Sequence, residues 1–542
     1  MKNFDTLCVM LDCSRNGVMK PETVKHFIDV LSAMGYNSLM LYTEDTYEVE
    51  GEPFFGYKRG RYSVAEMREM DDYAFDHGME IIPCIQTLAH LGSIFHWKDY
   101  AAVHDCDDIL LAGDEKTYAL IGKMFKTLKG CFRSKRIHIG MDEAHMVGRG
   151  KYQDDNGYEN GYDVLLKHLN RVCDLAKEYG YEPIMWNDMF FKIGRGHYLS
   201  KYGPFDAPEK FVFPKEVCDK VPKGVALCYW DYLALNADRY RNMMESSKML
   251  SENLWFAGGV YTTMNFAPHN RLSIQCNEYA IPACIEQGVR NVLLTIWGDV
   301  GKDCDTFSTL PGLMHAAALA QEMSPEEMRR KFTEITGEDF DEMLSLDAPD
   351  YIYGEDEFVG KANFCFSRFY NDPFLGILDK NLKKPADPAI FDEYAARLHR
   401  LADKSRNYAY LYRKLGTLCE VLRKKFDLGE RTRALYEAKD KDGLRALANG
   451  DYADLLPLLE KFYDAMHTSW DTENKPYGFE IQDIRLGGMI RRIKNCRSRL
   501  LDYCDGKTDR IDELEEPVLQ HDAQFTWFWR YMVSACPQGD YL

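Results

Sequence analysis

Four stretches of the 542-residue chain share one grammar: GYNSLMLYTED (Gly35–Asp45), GMEIIPCIQT (Gly78–Thr87), GYEPIMWND (Gly180–Asp188) and GVRNVLLTIWGD (Gly288–Asp299). Each follows a run of helical spacing, opens on a glycine that can stop a helix, and enters a short apolar segment. The first helix shows the rule. Pro21 suits its opening turn, Val24, Phe27, Ile28, Leu31 and Met34 fall on one face, and Gly35 ends it. Ser63 with Glu66 predicts a capping box for the next helix, and Leu165, Leu169, Val172 and Ala176 repeat the apolar stripe before Gly180.

Extending the rhythm outward predicts eight strands: Thr6–Leu11, Ser38–Tyr42, Glu80–Ile85, Arg136–Gly140, Pro183–Trp186, Val225–Tyr229, Leu254–Gly258 and Val292–Trp297. The runs are continuous rather than alternating, as expected of parallel strands covered on both faces. Eight strand–helix units point to a closed (β/α)8 TIM barrel, an α/β fold. A doubly wound open sheet is the structural competitor, but no G-x-G-x-x-G follows the first strand and no P-loop occurs anywhere. From Ser324 onward, with Pro325 and Glu327 forming a helix start, the chain is rich in Leu, Lys, Arg, Glu and Ala at helical spacing. The expected division is a catalytic barrel over 1–322 and a mostly α-helical domain over 323–542.

Composition narrows the partners. Apolar residues make up 46% of the chain, enough for a packed core. Lys and Arg number 67 against 86 Asp and Glu, a net charge of −19, which argues against nucleic acid or an anionic membrane surface. The opening MKNFDTLCVMLDCSRNG lacks the long apolar core of a signal peptide, and no stretch reaches the roughly 20 apolar residues of a membrane span. The 16 cysteines are scattered without a C-x-x-C pair, so reduced thiols in a cytoplasmic protein are expected.

In such a barrel the residues ending each strand converge on one mouth. Here they are Asp12 and Arg15, then Tyr42, Glu44 and Asp45, then Gln86 and His90, then Asp142 and Glu143, then Trp186, Asn187 and Asp188, then Tyr229, Trp230 and Asp231, and finally Trp297 and Asp299. Acids and arginine can hydrogen-bond hydroxyls while indole faces stack on the C–H face of a pyranose, so the set has the composition of a sugar site. Neighbouring residues of a regular strand point to opposite faces, so Asp142 and Glu143 can share a pocket only if the strand has ended, and Gly140 permits the bend. A metal site drawing on His138, Asp142, Glu143 and His145 is the local rival, but there is no H-E-x-x-H and no H-x-H on the first strand.

HIGMDE at His138–Glu143 resembles the H-x-G-x-D-E signature of family 20 glycoside hydrolases, the β-N-acetylhexosaminidases. The resemblance extends through LDCSRNG (Leu11–Gly17), LYTEDTYEVEGEP (Leu41–Pro53), IPCIQTLAH (Ile82–His90), MWNDMFF (Met185–Phe191), YWDY (Tyr229–Tyr232) and TIWGD (Thr295–Asp299), covering the barrel. It implies an exo-acting enzyme that hydrolyses terminal non-reducing β-linked GlcNAc or GalNAc of an oligosaccharide or glycoconjugate, with retention and without metal or cofactor. In this substrate-assisted scheme the sugar's own 2-acetamido oxygen attacks the anomeric carbon. The resemblance makes Glu143 the acid and then the base, and Asp142 the ionised group that orients the acetamido N–H. It gives Tyr229, with Tyr232 as alternative, the acetamido carbonyl; Arg15 the O3 and O4 hydroxyls; Asp231 and Asp299 the O4 or O6 end; and Trp186 and Trp297 the walls. His90 lies behind the acid–base residue, and strand seven offers Trp255 or Tyr261. The pattern is most similar to a bacterial subgroup with an N-terminal barrel and a helical domain that could support a homodimer. The competing classes are another retaining glycosidase and a catalytically silent sugar-binding barrel.

Overall fold

The computed structural model describes residues 2–196, 210–352, 364–382, 384–385 and 387–520. Eight strands close in chain order into a parallel barrel: β1 (Thr6–Asp12), β2 (Ser38–Tyr42), β3 (Glu80–Cys84), β4 (Arg136–His138), β5 (Glu182–Trp186), β6 (Ala226–Trp230), β7 (Leu254–Gly259) and β8 (Asn291–Ile296). Pairing of β1 with β8, from Thr6 opposite Asn291 to Leu11 opposite Ile296, completes the ring. All eight expected strands form, and most ends agree within a residue. β4 is the exception, stopping two residues early because Gly140 turns away at φ 71° and its N–H is held at 3.1 Å by Nδ1 of His138.

Side chains of successive strand residues go alternately inward and outward. Cys8, Met10, Met40, Tyr42, Ile82, Cys84, Ile184, Trp186, Ala226, Cys228, Trp255, Ala257 and Leu293 fill the barrel. Leu7, Val9, Leu11, Leu39, Ile81, Ile137, Leu227, Tyr229, Phe256 and Leu294 face the helix layer. The helices are capped as the sequence predicts. Pro21 opens Pro21–Met34 and Gly35 closes it at φ 101°, while Ser63 and Glu66 form the reciprocal box of Val64–Asp76.

Beyond the barrel, Ser324 caps Pro325–Thr336 by accepting the N–H of Glu327 at 3.2 Å. The long helices Ile390–Lys404, Ala409–Lys425, Asp451–Glu473 and Phe479–Cys504 pack on one another, and their apolar faces join the same buried layer as the outside of the barrel. The C-terminal helices are therefore fused to the barrel rather than tethered to it. Among the described residues every cysteine is a free thiol, and no helix is long and apolar enough to cross a membrane.

Candidate active site

The turn after β4 builds the centre of the site. Gly140, Met141 and Glu143 all adopt positive φ, at 71°, 70° and 50°, so the backbone reverses the strand's alternation and aims neighbouring acids to one side. Met141 goes into the core while both carboxylates approach the same atom. Nε2 of His90 lies 3.2 Å from an Asp142 oxygen and 3.9 Å from a Glu143 oxygen. Gln86 Nε2 donates to the other Asp142 oxygen at 2.7 Å and to the Tyr42 hydroxyl at 2.9 Å, while its Oε1 accepts the Met141 N–H at 3.1 Å. One amide from β3 thus fixes both the turn and its first acid.

Glu143 is anchored differently. Its N–H donates to Asp188 Oδ2 at 3.0 Å, and Lys192 Nζ lies 3.3 Å from its Oε1 and 3.2 Å from Asp188. With a third of its side chain exposed, Glu143 reaches the opening, whereas Asp142 is buried. Burial alone would raise the Asp142 carboxyl, but the charge and contact of His90 together with the Gln86 hydrogen bond outweigh it and hold the group below the ordinary carboxylate range. The complementary effect falls on His90. Burial opposes its protonation, yet Asp142 first, then Asp108 and Glu44, push its pKa up to about 10. Both shifts favour an ionised Asp142 beside an imidazolium.

The opposite rim is an arginine-centred network. Arg15 donates to Glu44 Oε1 at 3.2 Å and to Asp299 Oδ1 at 2.7 Å. Tyr42 donates to the same Glu44 oxygen at 3.1 Å. Glu44 is buried, and that burial, only partly offset by Arg15, lifts its pKa to about 7. Aromatic walls stand between the two clusters. The Trp297 ring meets Tyr42 edge-on at 4.8 Å and lies 6.2 Å from Trp186, which in turn sits 4.3 Å from His138. Burial lowers the His138 pKa to about 3, so this ring is a neutral part of the barrel filling, and no group of His, Cys, Asp or Glu among the described residues is arranged to hold a metal ion.

The structure brings Arg15, His90, Asp142, Glu143, Trp186, Trp297 and Asp299 to one mouth. It corrects three further expectations. Tyr229 points outward into the helix layer, 5.8 Å from Phe256, because the inward positions of β6 are Ala226, Cys228 and Trp230. Asp231 continues that outward parity. Its oxygens accept from Tyr229 at 3.0 Å, Arg239 at 2.6 Å and the N–H groups of Leu233 and Ala234, which makes it the clasp of the β6 turn. Trp255 does point inward, but from the first turn of β7 opposite Asn291, with the Arg136 guanidinium 5.3 Å over its ring, so it plugs the floor. The alternative, Tyr232, follows Asp231 in the same turn. It stacks on Trp230 at 5.3 Å and carries its hydroxyl to Trp297 and Thr295 within the field of Asp142.

Sequence reasoning singled out neither Lys192 nor Asp108. Gln86, Glu44 and Asp188 were visible as strand-end residues, and a strand-end rule applied evenly would have kept them and removed Trp255. Gly140 has a direct test. A Cβ there would come 2.0 Å from Gln86 Oε1 and 2.8 Å from the Ile85 carbonyl, in a backbone region costing a side-chain residue about 1–3 kcal/mol. Gly140→Ala is expected to fold with a lowered Tm and to lose at least about tenfold in kcat/KM as Gln86 is driven off Asp142. Wild-type kinetics in that variant would show that the Gln86 contact does not matter.

Comparison with protein-family models matches both parts of the chain. Residues 7–202 match the model of the glycosyl hydrolase family 20 catalytic domain, and residues 341–528 match that of the glycoside hydrolase 20C C-terminal domain. The chain belongs to glycoside hydrolase family 20. Among its relatives, human Hexosaminidase D is 24% identical over 227 residues, 40% of this chain and 42% of the human protein. Bovine Hexosaminidase D is 24% identical over 305 residues, 52% of this chain and 80% of the bovine one. The chain thus matches less than half the length of the human relative. A solved N-acetyl-β-hexosaminidase from Streptomyces plicatus, in complex with Thio-NAglucal, superposes over 62% of this chain and 69% of that one, at 16% identity and a TM-score of 0.45.

Proposed function

We propose that the protein is an exo-acting, retaining β-N-acetylhexosaminidase that removes terminal non-reducing GlcNAc or GalNAc by participation of the substrate's acetamido group. The observation that carries this reading is the division of labour between two consecutive acids: a buried, ionised Asp142 clamped by His90 and Gln86, and a more exposed Glu143 held by Asp188 and Lys192. A two-carboxylate retaining enzyme needs a free nucleophile facing the acid across the anomeric carbon, at about 5 Å, usually from another strand. Asp142, a neighbour of the acid and tied on both oxygens, suits the orientation of an N–H and the stabilisation of nearby positive charge instead.

In this reading Glu143 protonates the departing glycosidic oxygen while the acetamido oxygen closes on C1, giving a bound oxazolinium. Glu143 then draws a proton from the water that opens it. The acetamido N–H donates to Asp142, and the Tyr232 hydroxyl, kept neutral by burial, donates to the acetamido oxygen. Arg15 holds the O3 and O4 hydroxyls, Asp299 beside it reaches O4 or O6, and Trp186 and Trp297 wall the ring. Nitrophenyl N-acetyl-β-glucosaminide should be hydrolysed at least about a thousandfold faster than the plain β-glucoside. A thiazoline mimic of the oxazolinium should bind far more tightly than free GlcNAc. Equal rates on the two glycosides would sink the mechanism, and GlcNAc binding without turnover would make the barrel a binding module. The paired galacto substrate reads the C4 preference.

A further inference from the structure

The loops that bring Arg15 and Asp299 together are tied to each other, with the Gly298 N–H on Asp12 Oδ2 at 2.8 Å and the Gly301 N–H on the Gly298 carbonyl at 3.2 Å, and are held from outside as well. The segment after β8 makes a tight reversal in which Val300 adopts φ 69° and Gly301 φ 127°. For a β-branched residue this left-handed conformation is a true outlier, and it persists only where the surroundings over-determine it. Val300 directly follows Asp299, whose carboxylate meets Arg15 at 2.7 Å.

The outside support comes from the helical domain. Arg485, fully buried on Phe479–Cys504, donates to the Val300 carbonyl at 2.6 Å and to Asp303 Oδ2 at 3.3 Å. Lys414 on Ala409–Lys425 donates to the Asp303 carbonyl and to Asp305 Oδ2 at 2.7 Å. Glu473, the last residue of Asp451–Glu473, accepts the N–H groups of Thr306 at 2.7 Å and Phe307 at 3.2 Å. The β1 loop is tied to the same place, since Asn16 accepts the Lys302 N–H at 2.8 Å and donates to the Gly478 carbonyl at 3.1 Å.

We propose that Arg485 is a positioning residue for sugar recognition: from the helical domain it holds the strained Val300 turn so that Asp299 meets Arg15 at the O3/O4 end of the pocket. The role in recognition rests on the hexosaminidase reading; the clamp on the loop does not. Arg485 touches no substrate and acts through the backbone beside Asp299.

The test uses the full-length protein and Arg485→Lys, which keeps the charge but not the two-pronged geometry. Arg368→Lys is the control, because Arg368 is an equally buried arginine whose donors go to the Phe426 and Leu382 carbonyls and to Glu430, none of them in the 297–305 segment. Arg485→Lys should speed amide exchange across residues 297–305 and leave the β4 turn protected, while Arg368→Lys leaves both unchanged. KM for nitrophenyl N-acetyl-β-glucosaminide should rise about tenfold with kcat within about threefold, the signature of a lost binding contact. The gluco-to-galacto ratio of kcat/KM should move in the direction that Asp299→Asn moves it. Unchanged exchange in 297–305 overturns the clamp whether or not the protein is an enzyme. A loosened loop with unchanged KM and ratio, or the same kinetic shift in Arg368→Lys, overturns the role in recognition. A wild-type protein inert toward every 2-acetamido glycoside refutes the hexosaminidase reading, and with it the recognition role, while the exchange result still judges the clamp.

Discussion

Asp142→Asn is expected to lower kcat on nitrophenyl N-acetyl-β-glucosaminide about a thousandfold, a loss of roughly 4 kcal/mol of transition-state stabilisation, with the fold intact. The substitution preserves volume and can still turn an oxygen toward Gln86, so Gln86 and the Gly140 turn keep their places. It removes the negative charge that the acetamido nitrogen needs as its oxygen attacks. It also removes the largest influence keeping His90 protonated, so the imidazole should titrate well below its wild-type value of about 10. The sign for stability follows from the two shifts. The lowered Asp142 carboxyl contributes above its ordinary 3.8 and the raised His90 contributes fully below its ordinary 6.5, fading as pH climbs toward about 10. The Tm gap between wild type and variant should therefore be widest between about pH 4 and 6.5 and narrow above pH 9. Near-normal turnover in the variant would rule out Asp142 as the orienting group.

Glu143→Gln should show its effect through the leaving group. Removing a general acid costs about 10²–10⁴-fold when the departing oxygen needs a proton. An alkyl or sugar aglycone should therefore suffer a loss near the top of that range. A dinitrophenyl glycoside, whose oxygen leaves unprotonated, should form the oxazolinium nearly as fast as wild type and then stall, because the base is missing too. Azide, which needs no base, should restore turnover and give the β-azide. Glutamine keeps the shape, so the Asp188 anchor on the backbone N–H remains and misfolding does not explain the result. A loss that is the same for every leaving group would exclude Glu143 as the acid.

These two residues and their turn were legible because the evidence for them is local. Continuous apolar runs said where strands lie, and two acids after a glycine said that β4 ends there. Tyr229 and Asp231 were misplaced for a specific reason. A strand buried on both faces shows no alternation of apolar and polar residues, so its sequence does not say which parity points inward. On β6 the inward set ends in Trp230, which sends Tyr229 to the helix layer with Asp231 bonded to it and to Arg239. Trp255 was decidable from position alone, since it stands at the start of its run and the mouth lies at the end. Lys192 carried no signal; it reads as one charge on a short helix until Asp188 and Glu143 are seen beside it.

The amino-acid order by itself determined the succession of eight strands and their helices, the bend that Gly140 permits ahead of the two acids, and the chemical types gathered at the strand ends, because each depends on near neighbours along the chain. Only the tertiary structure decided which of those side chains share a pocket. Ring closure sets β1 beside β8 and so Arg15 beside Asp299, and the packing of the distant C-terminal helices holds that pair through Arg485, Lys414 and Glu473. Contacts between residues hundreds of positions apart leave no periodicity to read, so they exist only once the barrel has closed and the helices have packed against its mouth.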